Sequence, residues 1–398
     1  MAGSVRVMGS QCAVVWDESV LDYDLGGHHP LHPIRLDLTM RLARSLGVLD
    51  GVEVLEPGPA TEEDLLRVHT PEFLEAVRAA PLAGWEVGHG LGTEDNPIFD
   101  RMHEAAALIS GASIRAAEQI VSGRADRAVN LAGGLHHAMA DRAAGFCIYN
   151  DCSVAIAWML EQGVERIAYL DIDVHHGDGV QAAFYDDPRV MTISLHQHPL
   201  TLWPGTGFST EIGSGAADGT AVNIPLPPGT GDADWRRAFH AVVPSVLAAF
   251  RPQVLVTQCG ADAHREDPLA DLSKTVDGQR ATYQDLRELA DSCAGGKWLA
   301  LGGGGYSLFR VVPRAWTHLL ATLLDRDLDP ETTVPEDWMA HAVRAAQNVP
   351  LPTSMTDGAD PSYERWTGVT ASSVDTSIRD TRHAVFPLHG LDPVDSRD

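Results

Sequence analysis

The feature that most constrains this chain is a unit that recurs along it without any fixed period: a short apolar run that ends in a turn of glycines and polar residues and leads into a helix-like stretch. Residues 127–131 run into AGGLHH, 166–170 into DIDVHHGDG, 190–195 into HQH, 253–258 into CGAD and 297–301 into GGGGY. Between them, 102–121, 151–162 and 234–250 carry helical apolar spacing. Strands alternating with helices predict βαβ units around a parallel sheet buried on both faces. The polar turns then all fall at the carboxyl ends of strands, the edge at which open α/β sheets bind ligands. Motifs far apart in sequence are therefore expected to meet in one crevice.

The chain has 398 residues, enough for one large α/β domain or two ordinary ones, and 37 Gly and 24 Pro fit many sharply turned loops. No low-complexity linker divides it. From about residue 331 the composition turns polar and rich in Pro, Ser, Thr and Asp. We read 1–330 as the main domain, the one that holds all of these strand-end motifs, and 331–398 as a C-terminal extension packed on it, in part mobile. A formal net charge of −26 argues against a surface that binds nucleic acid, which needs clustered Lys and Arg, and fits a cationic partner such as a lysine-rich peptide. The 5 cysteines form no C-x-x-C pair, so reduced thiols in a cytoplasm are expected rather than disulfides or a structural zinc site. The N-terminal MAGSVRVMGSQCAVVWDES has no long apolar stretch, and nothing elsewhere is apolar enough to span a membrane.

The densest motif is DIDVHHGD at 171–178. With a strand period of two, Asp171, Asp173 and His175 share one side while Ile172 and Val174 take the other. Three acidic groups and two imidazoles at a buried strand end repel and resist desolvation unless a cation neutralises them, so a divalent metal is expected. A catalytic zinc takes three protein ligands and keeps one position open. Asp173 and His175 supply two, and Asp262, in QCGAD at 258–262, is well placed as the third. Nearby His264 and Asp267 are read as surface residues. The His136-His137 pair ends another strand and suits proton transfer, with Asp171 and Asp178 available as carboxylate partners. GGGGY at 302–306 lacks the spacing of a phosphate cradle. Its glycines instead let the backbone crowd the site and bring up the Tyr306 hydroxyl, a donor for a developing oxyanion.

Together these motifs resemble the class I histone deacetylase and acetoin-utilisation deacetylase family, of arginase-like fold, from HPLHPIR at 29–35 to Tyr306. The resemblance implies a three-layer α/β/α architecture with a central, mainly parallel sheet. It implies zinc on Asp173, His175 and Asp262, with ferrous iron also accepted by that ligand set. His137 would be general base and then acid, His136 its electrostatic support, with Asp171 paired to His136 and Asp178 to His137, and Tyr306 would polarise the substrate carbonyl. Phe146 and Trp203 would wall an acyl-lysine tunnel, the Gly145 carbonyl would accept from the scissile amide, and Asp95, with Glu94 as rival, would hold the substrate backbone at the rim. Structural K⁺ or Na⁺ would bind at Asp171, Asp173, His175, Ser194 and Leu195, and at Phe184, Asp187 and Val190. Leu135 stands where the family often has tryptophan, which implies a wider inner channel near the retained Arg35. Trp203 replaces the usual Phe.

The expected activity is zinc-dependent hydrolysis of acetyl-lysine amides in proteins, with release of acetate. A two-manganese ureohydrolase needs a bridging Asp-x-Asp where this chain has the single Asp262. Deacetylation of small polyamines calls for a gatekeeper carboxylate where this chain has Leu269. A catalytically inactive acyl-lysine-binding protein is the remaining alternative.

Overall fold

The structure, a computed structural model, describes residues 12–84, 88–346 and 348–398. Residues 1–11, which include much of the N-terminal stretch considered above, lie outside the described residues. Eight strands, β1 (Cys12–Val15), β2 (Val54–Leu55), β3 (Arg127–Asn130), β4 (Ile167–Asp171), β5 (Val190–Gln197), β6 (Ala221–Leu226), β7 (Val254–Gln258) and β8 (Trp298–Leu301), form one sheet in the order β2-β1-β3-β8-β7-β4-β5-β6. Every pairing is parallel. The five apolar runs of the sequence are five of these strands, and they lie side by side as β3-β8-β7-β4-β5. Contiguity is what turns scattered motifs into one site.

Alternation along each strand divides the core into two apolar clusters. Ala13, Ala128, Ile167, Val254 and Leu299 face the helices Met102–Val121 and Asp151–Glu161. Val14, Val129, Ala168, Leu255 and Ala300 face the helices Asp232–Phe250, Val276–Cys293 and Val312–Leu323, whose Trp235, Phe239, Tyr283 and Trp316 fill that layer. Strands covered on both faces have no wet side, so both alternating sets must be apolar. The three-layer arrangement expected from the sequence is the one observed. At the upper edge the register aligns Asn130, Leu301, Gln258, Asp171 and Ser194 in one row across the five strands. Polarity therefore begins at the same height on neighbouring strands.

The chain beyond 330 adds the helices Glu336–Ala345 and Ser373–Val385. Trp338 donates its indole N–H to the Leu38 carbonyl at 2.8 Å, and Thr381 donates to the Asn223 carbonyl on β6 at 2.6 Å. Ile378, Val385 and Phe386 belong to the larger apolar cluster. The guanidinium of Arg382, fully buried, donates to the carbonyls of Ala241, Asp392, Pro393, Asp395 and Asp398. Among the described residues no helix is long and apolar enough to cross a membrane.

One buried histidine ties the lower wall to the loop that follows β3. His69, 2% exposed, donates from Nδ1 to the Met139 carbonyl at 3.0 Å and accepts the Asn150 N–H on Nε2 at 3.0 Å. Only the neutral ring does both, and burial lowers its pKa from 6.5 to about 4. A folded-state pKa below the unfolded value gives stability that is present above about pH 6.5 and is lost as pH falls toward 4, on the order of 3 kcal/mol for such a shift. Urea unfolding measured from pH 7.5 to 4.5 should therefore show a loss on the acid side of neutrality, and His69→Gln, which cannot titrate, should make that slope shallower; an unchanged slope refutes the assignment.

Candidate metal centre and catalytic pocket

Asp173 and His175 follow β4, and Asp262 follows β7, the strand paired with it. All three are buried, and one potential ligand atom from each lies within 4.8 Å of the others. His175 Nδ1 stands 3.1 Å from Asp173 Oδ1 and 3.2 Å from Asp262 Oδ2. The other carboxylate oxygens are fixed by donors: Gln258 Nε2 at 2.7 Å and the Gly304 N–H at 2.8 Å on Asp173 Oδ2, and the Val174 N–H at 2.9 Å on Asp262 Oδ1. Gly304 must be glycine, because a Cβ there would collide with Asp262 Oδ2 and stand 2.8 Å from Asp173 Oδ2.

The electrostatics of this cluster favour positive charge. Burial and the neighbouring Asp173 charge push Asp262 upward, while His136 and His175 hold Asp173 well down against its own burial. Against burial, bonds to both carboxylates raise His175 to about 10. With protein groups alone the site draws a proton onto His175; a cation can take its place. Two carboxylates and an imidazole, dry and held by outer donors, are a donor set that suits a divalent metal with an open position.

The histidine pair lies on the loop after β3. His136 Nδ1 is 2.7 Å from Asp171 Oδ2 and His137 Nδ1 is 2.7 Å from Asp178 Oδ1, with ring centroids 3.9 Å apart. Their environments separate them. Burial depresses both, but the Asp171 and Asp173 charges raise His136 to about 9. For His137, burial and the adjacent His136 charge outweigh Asp178, and its pKa falls to about 4. A neutral imidazole beside a charged one is the state a general base requires. The loop itself hangs on residues that pattern reading passed over. Asp151 accepts the N–H groups of Gly134 and Leu135, and Asn150 donates to the carbonyls of His136 and Ala138. Gln258 was equally missed; its signal is a polar residue closing an apolar strand in register with Asp171.

Tyr306, on the loop after β8, packs edge-on against Phe146 with centroids 5.6 Å apart. Burial and the Asp262 and Asp173 charges push its phenol well above the ordinary range, so it stays a donor. Phe146 also meets His29 edge-on at 4.5 Å, and His29 Nε2 lies 3.2 Å from the carbonyl of exposed Asp95, next to exposed Glu94. Trp203, 46% exposed, leans over His137 with centroids 4.6 Å apart and lies against Gly145. Leu269 is half-buried, its N–H bonded to Asp267. Arg35 is buried and donates to the Gly303 and Gly305 carbonyls at 2.8 and 3.1 Å. Beside it a cavity of about 10 Å³, lined in part by Leu31, Leu135, His137 and Tyr306, has room for about one water.

Two expectations are corrected. His264 and Asp267 are buried, at 2% and 7% exposure, not at the surface. His264 turns inward to Asp357 at 2.7 Å, and Asp267 accepts the Tyr306 and Leu269 N–H groups. Asp357 and Tyr306, the partners that bury them, come from distant chain segments, which spacing alone does not reveal. Of the residues expected to bind monovalent cations, Asp171 and Ser194 are register neighbours, and the Ser194 hydroxyl lies 2.8 Å from His196 Nδ1. Leu195 follows on β5, which Val190 begins; Phe184 and Asp187 lie on the turn before that strand, with the Asp187 carboxylate engaged by Arg189.

Known proteins resemble this chain in sequence and fold. The histone deacetylase domain matches residues 29–323. Acetoin utilization protein AcuC of Bacillus subtilis (strain 168) is 41% identical over 355 residues, covering 87% of this chain and 90% of that protein. Its namesake in Staphylococcus aureus (strain MSSA476) is 36% identical over 334 residues, covering 83% and 86%. The crystal structure of an HDAC homolog from Aquifex aeolicus superposes with a TM-score of 0.81 at 28% identity, covering 93% of this chain and 100% of that one. An HDAC homolog complexed with SAHA matches with a TM-score of 0.81 at 29% identity, covering 94% and 100%. With the domain spanning most of its length and every polar strand end in place, the chain belongs to the histone deacetylase family and is a hydrolase.

Proposed function

We propose that the chain is a zinc-dependent protein lysine deacetylase, cleaving the amide of acetyl-lysine to acetate and free lysine. The observation that carries this reading is the convergence, at one dry sheet edge, of the Asp173–His175–Asp262 cluster with the neutral His137 and the protonated Tyr306. Ferrous iron fits the same ligands. A divalent cation held there would polarise the substrate carbonyl and acidify an attacking water.

The chain's own groups supply the rest. His137, neutral and held by Asp178, takes the proton from the water and later gives it to the leaving amine. His136, charged and paired with Asp171, supports the negative charge that develops. The Tyr306 hydroxyl donates to the carbonyl oxygen as it becomes an oxyanion. Phe146 and Trp203 flank the lysine stem, Gly145 receives the amide N–H through its carbonyl, and Asp95 or Glu94 holds the peptide backbone. Acetate would leave past Arg35 and Leu135, and because the cavity lined by Leu135 has room for only about one water, its release requires side chains to move. K⁺ or Na⁺ at Asp171, Asp173, His175, Ser194 and Leu195, and at Phe184, Asp187 and Val190, completes the proposal. Buried thiols at Cys147, Cys152 and Cys259 suit a reducing cytoplasm.

The primary experiment is metal analysis together with deacetylation of an acetyl-lysine peptide. One divalent ion per chain is expected, and Asp173→Ala or Asp262→Ala should lose both metal and activity while remaining folded; full activity in metal-free protein would sink the reading. Tyr306→Phe should lower kcat by roughly 10²–10³ with metal retained, the range for loss of one oxyanion donor. If only KM rises, Tyr306 merely binds. Substrate class turns on Leu269, which gives a second ammonium no partner, whereas an apolar tunnel gains about 0.8 kcal/mol per buried CH₂ of a lysine stem. Acetyl-lysine peptides should exceed acetylspermidine in kcat/KM, and Leu269→Glu should move the ratio toward the polyamine. A wild type that already prefers acetylspermidine rules out the protein substrate and leaves the hydrolytic chemistry standing.

A further inference from the structure

The residues matched by the histone deacetylase domain end at 323, yet the chain beyond them reaches back to the segment that follows Asp262. Residues 354–359 cross the ends of two helices and are fastened there. His318 and Arg314 donate to the carbonyls of Met355, Ser354 and Thr356, and Asp277 accepts from the Thr356 hydroxyl and from the N–H groups of Asp357 and Ala359. This anchoring drives the Asp357 side chain inward to 7% exposure. Its Oδ2 lies 2.7 Å from His264 Nε2 and accepts the Val276 N–H at 3.0 Å, and its Oδ1 lies 2.9 Å from Arg314 Nη2.

His264 is two residues beyond Asp262. Its Nδ1 accepts the Glu266 N–H at 3.0 Å, so the ring proton sits on Nε2 and is donated to Asp357. Its carbonyl accepts the Asp267 N–H at 2.9 Å, and Asp267 in turn accepts the Tyr306 N–H at 2.8 Å. One buried line thus runs from Asp357 through His264 to the segment that carries Asp262 at one end and suspends Tyr306 at the other. A brace that merely held the extension down would not need a histidine of fixed tautomer inside that segment.

We propose that Asp357 is a positioning residue of the working site, acting through His264 on the metal ligand Asp262 and on Tyr306. The proposal rests on the functional reading above. Outer partners of this kind change metal affinity or activity by about 10–100-fold when lost.

The test measures zinc affinity by chelator competition, and kcat and KM on an acetyl-lysine peptide, for wild type, Asp357→Asn, His264→Gln and Ser372→Ala. Ser372 caps the last helix of the same extension, away from this line, and reports what simple loosening of the extension does. Asp357→Asn and His264→Gln should weaken zinc binding and lower kcat by about 10-fold or more, with KM within about threefold of wild type. Ser372→Ala should leave all three values unchanged. His264→Gln keeps the Asp357–Arg314 pair, so it decides the matter even where Asp357→Asn does not fold. Zinc affinity and kcat within about threefold of wild type in His264→Gln overturn the proposal, as do equal losses in Ser372→Ala. A wild type that binds no zinc overturns the functional reading and takes this inference with it.

Discussion

Carboxylates that share the dry end of one sheet cannot all keep their charge unless something positive is held among them. Asp171, Asp173 and Asp262 are each wholly buried, with Asp178 and Asp267 close behind. Much of the surrounding structure answers that demand. Imidazoles at 136, 137 and 175 face carboxylates, backbone N–H groups of Val174 and Gly304 converge on ligand oxygens, and Gln258 spends its amide on Asp173. Charges buried with this many partners are fixed in place, and fixed ligands bind a metal without having to be reorganised.

The same demand explains the glycines. Where a residue's own Cβ would point into the carboxylates that its backbone approaches, only glycine fits, and Gly304 is the clearest case. The loop after β8 therefore delivers Tyr306 and at the same time seals the cluster. Arg35 holds that loop by donating to the carbonyls of Gly303 and Gly305, while the N–H groups of the same two peptide units, on Gly304 and Tyr306, go to Asp173 and Asp267.

Much of the fold was legible because each strand is short, apolar on both faces and ended by a polar turn, and the residues read from those turns, Asp173, His175 and Asp262 and the pairs His136–Asp171 and His137–Asp178, are the ones that meet at the sheet edge. The parts that escaped share one cause. Asp357 is 93 residues from His264, and Asp151 meets Gly134 only after the helix it begins has packed. Neither has a local pattern, because each is defined by a partner that returns from elsewhere. His264 and Asp267 looked like surface residues for the same reason: a polar residue in a loop is read as wet until something is found to cover it. The extension supplies that cover for His264 through Asp357, and the loop after β8 supplies it for Asp267 through Tyr306; the extension's own composition, rich in Pro, Ser, Thr and Asp, conceals its part.

The strand order has a consequence for how the molecule comes to exist. β3 pairs with β8, and β4 with β7, so the centre of the sheet joins segments made early to segments made late. Loop-closure entropy must be overcome before such contacts return anything, which makes parallel sheets of this kind slow to assemble. A nascent chain that has reached the end of β4 carries Asp173 and His175 but not Asp262, and so holds only part of the cluster. The complete cluster arises when β7 and β8 slot between strands already waiting for them. A cation drawn to all three groups would therefore meet them together only in the finished molecule.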